Sequence, residues 1–197
     1  MNKQGNNDIF TASGSGTTRF VIANGGNVGI GTSAPSTELE VISTSGSVPR
    51  GITTTQYSTD INSSLVNIRK ARGTVTNPLS VADGDVIGNL FAQAYDGTSW
   101  VSPARVRFLI NGTVATGSVP TDLQFYTGTS GFGTEQMRIL STGQVGIGIA
   151  SPISELHVTR PLSLGATGKA LAIFDQIESQ DILTASAGGI TKFSITN

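Results

Sequence analysis

The chain of 197 residues sets 12 Lys and Arg against 13 Asp and Glu, a formal net charge of −1. Only 13% of it is charged, against about 25% in ordinary globular proteins, so no strong field is present to attract nucleic acid or an anionic membrane surface. The absence of cysteine and the single histidine, His157, exclude disulfides, thiolate metal sites and sites built on several histidines.

The 25 glycines, with abundant Ser and Thr and little Glu or Lys, oppose helices and predict short strands joined by turns. Asp8-Ile9-Phe10-Thr11-Ala12 and Thr18-Arg19-Phe20-Val21-Ile22 read as the first two strands. In the second, Phe20 and Ile22 share one face. Ser13-Gly14-Ser15-Gly16 is the turn between them, and Asn24-Gly25-Gly26-Asn27 is a further turn of the Asn-Gly hairpin type. Val28-Gly29-Ile30-Gly31 then places two apolar side chains on one strand face and two glycines on the other. Glycine weakens a strand, so its repetition implies close approach of another backbone or a sharp bend. Pro35 interrupts the pattern, and Leu39 and Val41 resume it.

Residues 43–60 read as a Ser/Thr-rich connector with room for one edge strand. Strands are predicted at Ser64–Ala71, Val86–Tyr95, Ala104–Asn111 and Leu123–Tyr126. Along Ala104-Arg105-Val106-Arg107-Phe108-Leu109-Ile110 the alternation points Ala104, Val106, Phe108 and Ile110 inward. Asp83-Gly84, Asp96-Gly97 and Asn111-Gly112 mark turns. Met137-Arg138-Ile139-Leu140 leads into a second glycine motif, and Leu171-Ala172-Ile173-Phe174 is the strongest strand signal of the last segment.

Two internal repeats organise the chain. NVGIGTSAPSTELEV (Asn27–Val41) returns 117 residues on as QVGIGIASPISELHV (Gln144–Val158), and DIFTASGSGTTRFVIAN (Asp8–Asn24) returns 173 residues on as DILTASAGGITKFSITN (Asp181–Asn197). Self-similarity of this kind marks arrays whose neighbouring units complete each other's core. The short, glycine-interrupted strands would leave edges unpaired and apolar faces half covered in one copy. Association around a threefold axis would meet both deficits. The expected divisions are an N-terminal shaft repeat (1–49), an inserted globular β unit (50–140) and a C-terminal shaft repeat (141–197), equivalent to one period of a longer fibre.

The pattern GNVGIGT, a following proline and a short apolar strand (Gly26 to Val41) resembles the repeat of bacteriophage tail-fibre proteins and of large repetitive surface proteins of bacteria. Further along, Ile68-Arg69-Lys70-Ala71-Arg72-Gly73-Thr74, Asp83-Gly84-Asp85-Val86-Ile87-Gly88, Tyr95-Asp96-Gly97-Thr98, Pro120 with Leu123-Gln124-Phe125-Tyr126-Thr127, and Met137-Arg138-Ile139 before Gly143-Gln144-Val145-Gly146-Ile147-Gly148 follow the order of tail-fibre segments. The resemblance covers about two thirds of the chain, and the order of the motifs is its specific part. It implies an all-β, intertwined homotrimeric fibre that projects from a virion or cell and places receptor-binding tips at a distance. Some such fibres end in a self-cleaving chaperone domain; nothing here resembles its catalytic segment, so no protease is carried over.

Chemical readings compete with plainer ones. Gly29-Ile30-Gly31-Thr32-Ser33-Ala34 fits the dinucleotide fingerprint G-x-G-x-x-A, but Ser36-Thr37-Glu38-Leu39-Glu40-Val41 is too short and strand-like for the helix that fingerprint needs. Close packing and turns account for the glycines better. Asp83, Asp85 and Asp96 stand where a calcium ion could be held, yet EF-hand spacing is absent and Asp-Gly is ordinary turn chemistry. A glycosidase needs two carboxylates across a cleft; Asp96, Asp122 and Glu135 are available and unpaired by sequence. Tyr95, Trp100 and Tyr126 are candidate glycan contacts, with interface or core anchoring as the plainer reading. Arg105 and Arg107 face away from the inward set, either solvated or pairing with a neighbouring chain. His157 takes the slot of Glu40, read as an exposed polar position. Asn62-Ser63-Ser64 and Asn111-Gly112-Thr113 match the glycosylation sequon.

The sequence therefore reads as a structural, extracellular protein, not an enzyme, with no cofactor and no metal. Its partners are copies of itself, as a homotrimer and through end-to-end assembly, with a cell-surface glycan as a further candidate. Neither nucleic acid nor a membrane span is expected, and the polar start shows no signal peptide. Val28, Ile30, Val145 and Ile147 are the candidate threefold seam, and Gly29, Gly31, Gly146 and Gly148 the close-packing glycines. The alternative is a carbohydrate- or receptor-binding adhesin module of a bacterial surface protein.

Overall fold

The computed structural model describes residues 7–44, 51–159, 183–187 and 190–195. All its regular structure is β. The chain divides into two compact units, Met1–Val66 and Asn67–Asn197.

The first unit holds a four-stranded sheet in the order β1 (Phe10–Gly14), β2 (Thr17–Ile22), β3 (Val28–Ile30), β4 (Leu39–Val41). The strands β1 and β2 close on a two-residue turn, Ser15 (φ 51°) and Gly16 (φ 76°). Positive φ at both positions is what a twisted two-residue hairpin requires. The expected turn is thus tighter than the four residues Ser13–Gly16, because Ser13 and Gly14 pair with Thr18 and Thr17. β2 and β3 are antiparallel, whereas β3 and β4 are parallel. A parallel return usually takes a dozen or more residues. Here residues 31–38 suffice, because strands of three residues rise only about 10 Å. The glycine-then-proline motif is this crossover.

In the second unit a six-stranded sheet runs in the spatial order β12 (Leu156–Val158), β11 (Val145–Ile147), β10 (Thr134–Ile139), β9 (Thr121–Thr127), β8 (Trp100–Ile110), β7 (Val86–Tyr95). It runs without a break across the expected division at residues 140 and 141. Two small ladders complete the unit: β5 (Arg72–Gly73) with β6 (Pro78–Leu79), and β13 (Leu183–Ala187) with β14 (Ile190–Ile195). The strand expected at Ser64–Ala71 is not formed. That run finds no ladder partner among the described residues, and only Ile68, against Gly88, packs on the sheet. No strand forms in residues 51–60 either. The expected strand Leu171–Phe174 lies outside the described residues.

The inward set expected on β8 needs correction. Ile110 is fully buried, but Ala104, Val106 and Phe108 are only half covered. The most deeply buried side chains of the sheet besides Ile110 are polar: Asp122 (0% exposed) and Gln124 (1%), on the same face as Arg105 and Arg107. Within this unit no other described strand packs on either face of the sheet. Long polar side chains cover one face by lying across each other. The apolar face has no such polar cover; Ile68 lies over it at Gly88, while Leu90, Ile147 and Leu156 are 54%, 39% and 62% exposed.

Candidate functional site

The repeats of the sequence are repeats of register. Val28, Gly29 and Ile30 pair in parallel with Leu39, Glu40 and Val41; Val145, Gly146 and Ile147 pair in the same way with Leu156, His157 and Val158. On the other side Phe20, Val21 and Ile22 pair with Ile30, Gly29 and Val28, as Met137, Arg138 and Ile139 pair with Ile147, Gly146 and Val145. Each copy carries a bulge at the same place. Arg19, Gln136 and Lys192 are skipped by the facing strand in β2, β10 and β14. All three are long polar residues, a signal that sequence reading passed over.

Residues paired across neighbouring strands share a face, which defines apolar columns. In the first sheet Phe10, Ile22, Val28 and Leu39 form one column and Ala12, Phe20, Ile30 and Val41 the next. In the second sheet the counterparts are Leu123, Ile139, Val145 and Leu156, then Phe125, Met137, Ile147 and Val158. The β13–β14 hairpin repeats the first two places of each, Leu183 with Ile195 and Ala185 with Phe193. The expected seam residues Val28, Ile30, Val145 and Ile147 thus sit inside larger columns. Ile30 and Ile147 remain 43% and 39% exposed, and Phe10 and Leu39 more than half exposed.

The glycines pack against their own chain. A Cβ on Gly29 would stand 2.8 Å from the Thr32 carbonyl oxygen and 2.9 Å from Val21 Cγ1, and one on Gly146 would strike the Ile149 carbonyl. Gly31 and Gly148 are different in kind. They leave the strand in the left-handed region (φ 75° and 73°), where a Cβ would strike the carbonyls of Ile42 and Thr159. Expecting each glycine pair to share one strand face therefore needs correction: Gly29 and Gly146 are strand residues, while Gly31 and Gly148 open the crossover.

The slot shared by Glu40 and His157 is half-buried, not exposed. Glu40 bends back to accept from the Ser36 N–H (2.9 Å) and hydroxyl (3.1 Å). In the second copy Ile153 replaces Ser36, which removes the hydroxyl donor and keeps only the backbone one, and His157 stands in the slot with Nδ1 unpartnered among the described residues.

The polar face of the larger sheet centres on Arg138. Its guanidinium donates to Glu135 (both bonds 2.8 Å) and to Asp122 (3.1 Å). Asp122 also accepts from Asn111 Nδ2 (2.7 Å) and the Ser141 N–H (3.0 Å), and Glu135 from Gln124 (2.9 Å) and the Tyr126 hydroxyl (3.3 Å). The Glu135 bonds push the Arg138 pKa further up. Asp122 and Glu135 are thus brought together, but over an arginine that occupies both. Arg105 pairs with no carboxylate among the described residues; its guanidinium carbon lies 4.1 Å from the centre of the Tyr126 ring, with Phe132 at 5.4 Å and Phe91 at 5.8 Å. Arg107 donates to the Tyr126 hydroxyl at 3.4 Å.

Among the aromatic candidates, Tyr95 and Trp100 meet at the β7–β8 turn, ring centres 5.6 Å apart, 58% and 68% exposed. Tyr126 sits apart from them, under Arg105. An open hollow of about 300 Å³ between Trp100, Ser102, Gly131 and Phe132 adjoins the pair; Phe132 was not singled out by sequence.

The acidic candidates are spent on local structure. Asp83 accepts from the Gly112 N–H (2.8 Å). Asp96 accepts from the Ser99 and Thr98 N–H groups (both 2.7 Å), which hold its carboxyl below the usual range. Arg72 grips Asp85 through two bonds (2.7 and 2.9 Å) and, with the Ala82 N–H, brings its pKa down to about 2. Among the described residues no three His, Cys, Asp or Glu side chains converge as a metal site would need, and no helix is long and apolar enough to cross a membrane. No described helix follows Gly29-Ile30-Gly31 to offer an N-terminus to a pyrophosphate.

No protein-family model and no curated protein sequence matches the chain. The fold is similar to that of the carboxy-terminal domain of the bacteriophage T5 L-shaped tail fibre, with a TM-score of 0.54 and 11% identity over 85% of this chain and 73% of that one.

Proposed function

We propose that this chain is a structural segment of a homotrimeric fibre, a viral tail fibre or similar extracellular filament, that extends and positions receptor-binding parts. One observation carries the reading. The same apolar columns occur on one sheet face in both complete repeats, and one copy leaves them open. Contiguous apolar surface of this kind marks association sites in soluble proteins. Three copies around an axis bury every column against its equivalents, which suits identical repeats stacked along a shaft. The tail-fibre fold similarity supports the same reading. Solution mass by light scattering tests it: about 61 kDa, three times 20.3 kDa, is expected, larger extended species would indicate end-to-end growth, and a 20.3 kDa monomer overturns it.

The exposed Tyr95–Trp100 pair and its hollow favour a second reading, a carbohydrate-binding module of a surface adhesin, since aromatic rings stack on the apolar faces of sugars. A glycan-array signal lost in Trp100→Ala would support it; no signal from the assembled protein would remove it.

A further inference from the structure

The polar face of the larger sheet sets the arginines Arg105, Arg107 and Arg138 against the carboxylates of Asp122 and Glu135, and Arg138 takes both carboxylates. Arg105 and Arg107, two residues apart on β8, are left with none among the described residues. Their Nε–H groups are enclosed and meet no acceptor. The bond from Arg107 to the Tyr126 hydroxyl, at 3.4 Å, is the one hydrogen bond the two guanidiniums make among the described residues. Asp83, Asp85 and Asp96 cannot serve them, being held by the Gly112 N–H, by Arg72 and by the Thr98 N–H. Side chains two residues apart on a strand start roughly 7 Å apart. The two cations therefore repel, and an anion set between them relieves the repulsion.

The rings around Arg105 hold it without occupying its donors. Tyr126, Phe132 and Phe91 flank the guanidinium at 4.1, 5.4 and 5.8 Å. Such contacts fix its plane but accept none of its N–H groups in their usual geometry. Phe132 packs on Phe91 with ring centres 6.0 Å apart. It also walls the hollow of about 300 Å³ that it shares with Trp100 and Ser102, a volume at the lower end of small-ligand sites. One surface thus runs from an unpaired guanidinium, over a ring, to a hollow beside an exposed aromatic pair. Arg105 lies on the face opposite the apolar columns, so in the proposed trimer no copy meeting it at the axis closes over the guanidinium.

We infer that Arg105 and Arg107 bind the carboxylate of an acidic oligosaccharide while an adjoining sugar lies in the Phe132–Trp100 hollow. Planar guanidinium forks match a carboxylate, and exposed aromatic rings match the apolar face of a sugar. A small anion alone makes no use of the rings, and a neutral sugar makes no use of the cations. From Ser102 to Arg105 is roughly 10 Å along β8, so the ligand is an oligosaccharide rather than a single sugar. The net charge of −1 speaks against nucleic acid, whose phosphates need many more cations. The inference rests on the carbohydrate-binding reading and adds to it the charge of the ligand.

The full chain, in its native assembly, is applied to an array of uronic- and sialic-acid oligosaccharides, each printed beside its carboxyl-reduced form. Carboxylated members should bind about tenfold tighter than their reduced forms, the order expected for hydrogen bonds to a charged group. Arg105→Gln should erase that difference. Arg105→Lys keeps the charge but loses the planar fork and should narrow it, which carries the residue assignment if Arg105→Gln fails to fold. Trp100→Ala should weaken acidic and reduced forms alike. Equal binding of acidic and reduced forms, or a preference that survives both Arg105 variants, overturns the acidic site and leaves the carbohydrate reading standing. Tighter binding of sulfated glycans than of carboxylated ones overturns it as well, as a diffuse anion surface. A fall of Arg105→Gln to 20.3 kDa with its β signal intact overturns it by pairing Arg105 with another copy. No binding to any member of the array overturns both readings.

Discussion

The Arg19 carbonyl accepts the Gly31 N–H at 3.0 Å, and 117 residues on the Gln136 carbonyl accepts the Gly148 N–H at 2.8 Å. In each copy the bulged residue supplies the acceptor that ends the next strand and lets the glycine turn away. The bulge and the glycine are therefore one device. It predicts a ranked series. Gly143→Ala faces open space and meets only the strain of a left-handed φ (96°), about 1 kcal/mol or somewhat more. Gly148→Ala adds a collision with the Thr159 carbonyl to similar strain and should cost about 3 kcal/mol or abolish folding. Urea melts of the two variants decide it; equal losses would show that the crossover backbone can yield.

Gly29→Val and Gly146→Val should fail for a related reason but at a different stage. The obstructing carbonyls of Thr32 and Ile149 belong to the same chain, so the damage precedes association. Both variants should lose β signal in circular dichroism. A well-folded monomer in place of the assembly would instead place the close backbone approach between chains.

Arg138 is the keystone of the polar face, its side chain 13% exposed and its partner Asp122 at 1%. Arg138→Met keeps the aliphatic stem but leaves Asp122 and Glu135 without their shared cation, and should cost about 3 kcal/mol. Adding Asp122→Asn and Glu135→Gln removes the uncompensated charges and should recover most of that loss. A single-variant cost within the range of an exposed pair, below about 1 kcal/mol, would show that water reaches this face.

Much of the fold was legible because its signals are local. The strand pattern located β7 at its observed bounds and most of β8 and β9, and Asn-Gly and Asp-Gly turns punctuated them. The parallel β3–β4 return was not legible, since parallel strands normally imply a longer crossover. Nor was the inversion of faces on the larger sheet. Arg105 and Arg107 look like a solvated edge in one dimension; only the register of β7 to β10 shows Tyr126, Phe91, Gln124 and Glu135 beside them. Val28 and Ile30 stand out in the sequence as an alternation, but Leu39, Phe20 and Phe10 join their columns only through pairing. Phe132 gave no periodic signal because it lies in a loop.

Asp85 makes the ladder of β5 and β6 sensitive to acid. Its carboxyl, ordinarily near 3.8, is held at about 2, first by the Arg72 hydrogen bonds and then by the Ala82 N–H. A depressed pKa contributes stability above the unfolded value, and the contribution disappears as pH falls toward the folded one. The contribution of the tie between Arg72 and Asp85 should be complete above about pH 5, shrink as pH falls through 3.8 toward 2, and vanish only at about pH 1. In thermal melts, Asp85→Asn should lie below the parent at pH 5–7, with the gap narrowing steadily as pH falls from 4 to 2. A gap that stays constant from pH 6 to pH 2 would assign the difference to something other than this carboxylate.

The apolar columns make opposite predictions for a lone chain and for an assembly. Ile30 and Ile147 are 43% and 39% exposed in the single chain, so Ile30→Asp or Ile147→Asp should barely disturb a monomer; exposed substitutions commonly stay within about 0.5 kcal/mol. In a threefold assembly each change would bring three carboxylates together at the axis, in surroundings with no cation among the column residues, and like charges there repel strongly. Light scattering of either variant should therefore give 20.3 kDa in place of about 61 kDa, with circular dichroism still reporting β structure. Thr11→Asp, on the opposite face of β1, is the control and should leave the mass unchanged. If the column variants keep the parental mass while remaining folded, the axis does not pass through these columns, and the contact between copies lies on another surface of the sheet.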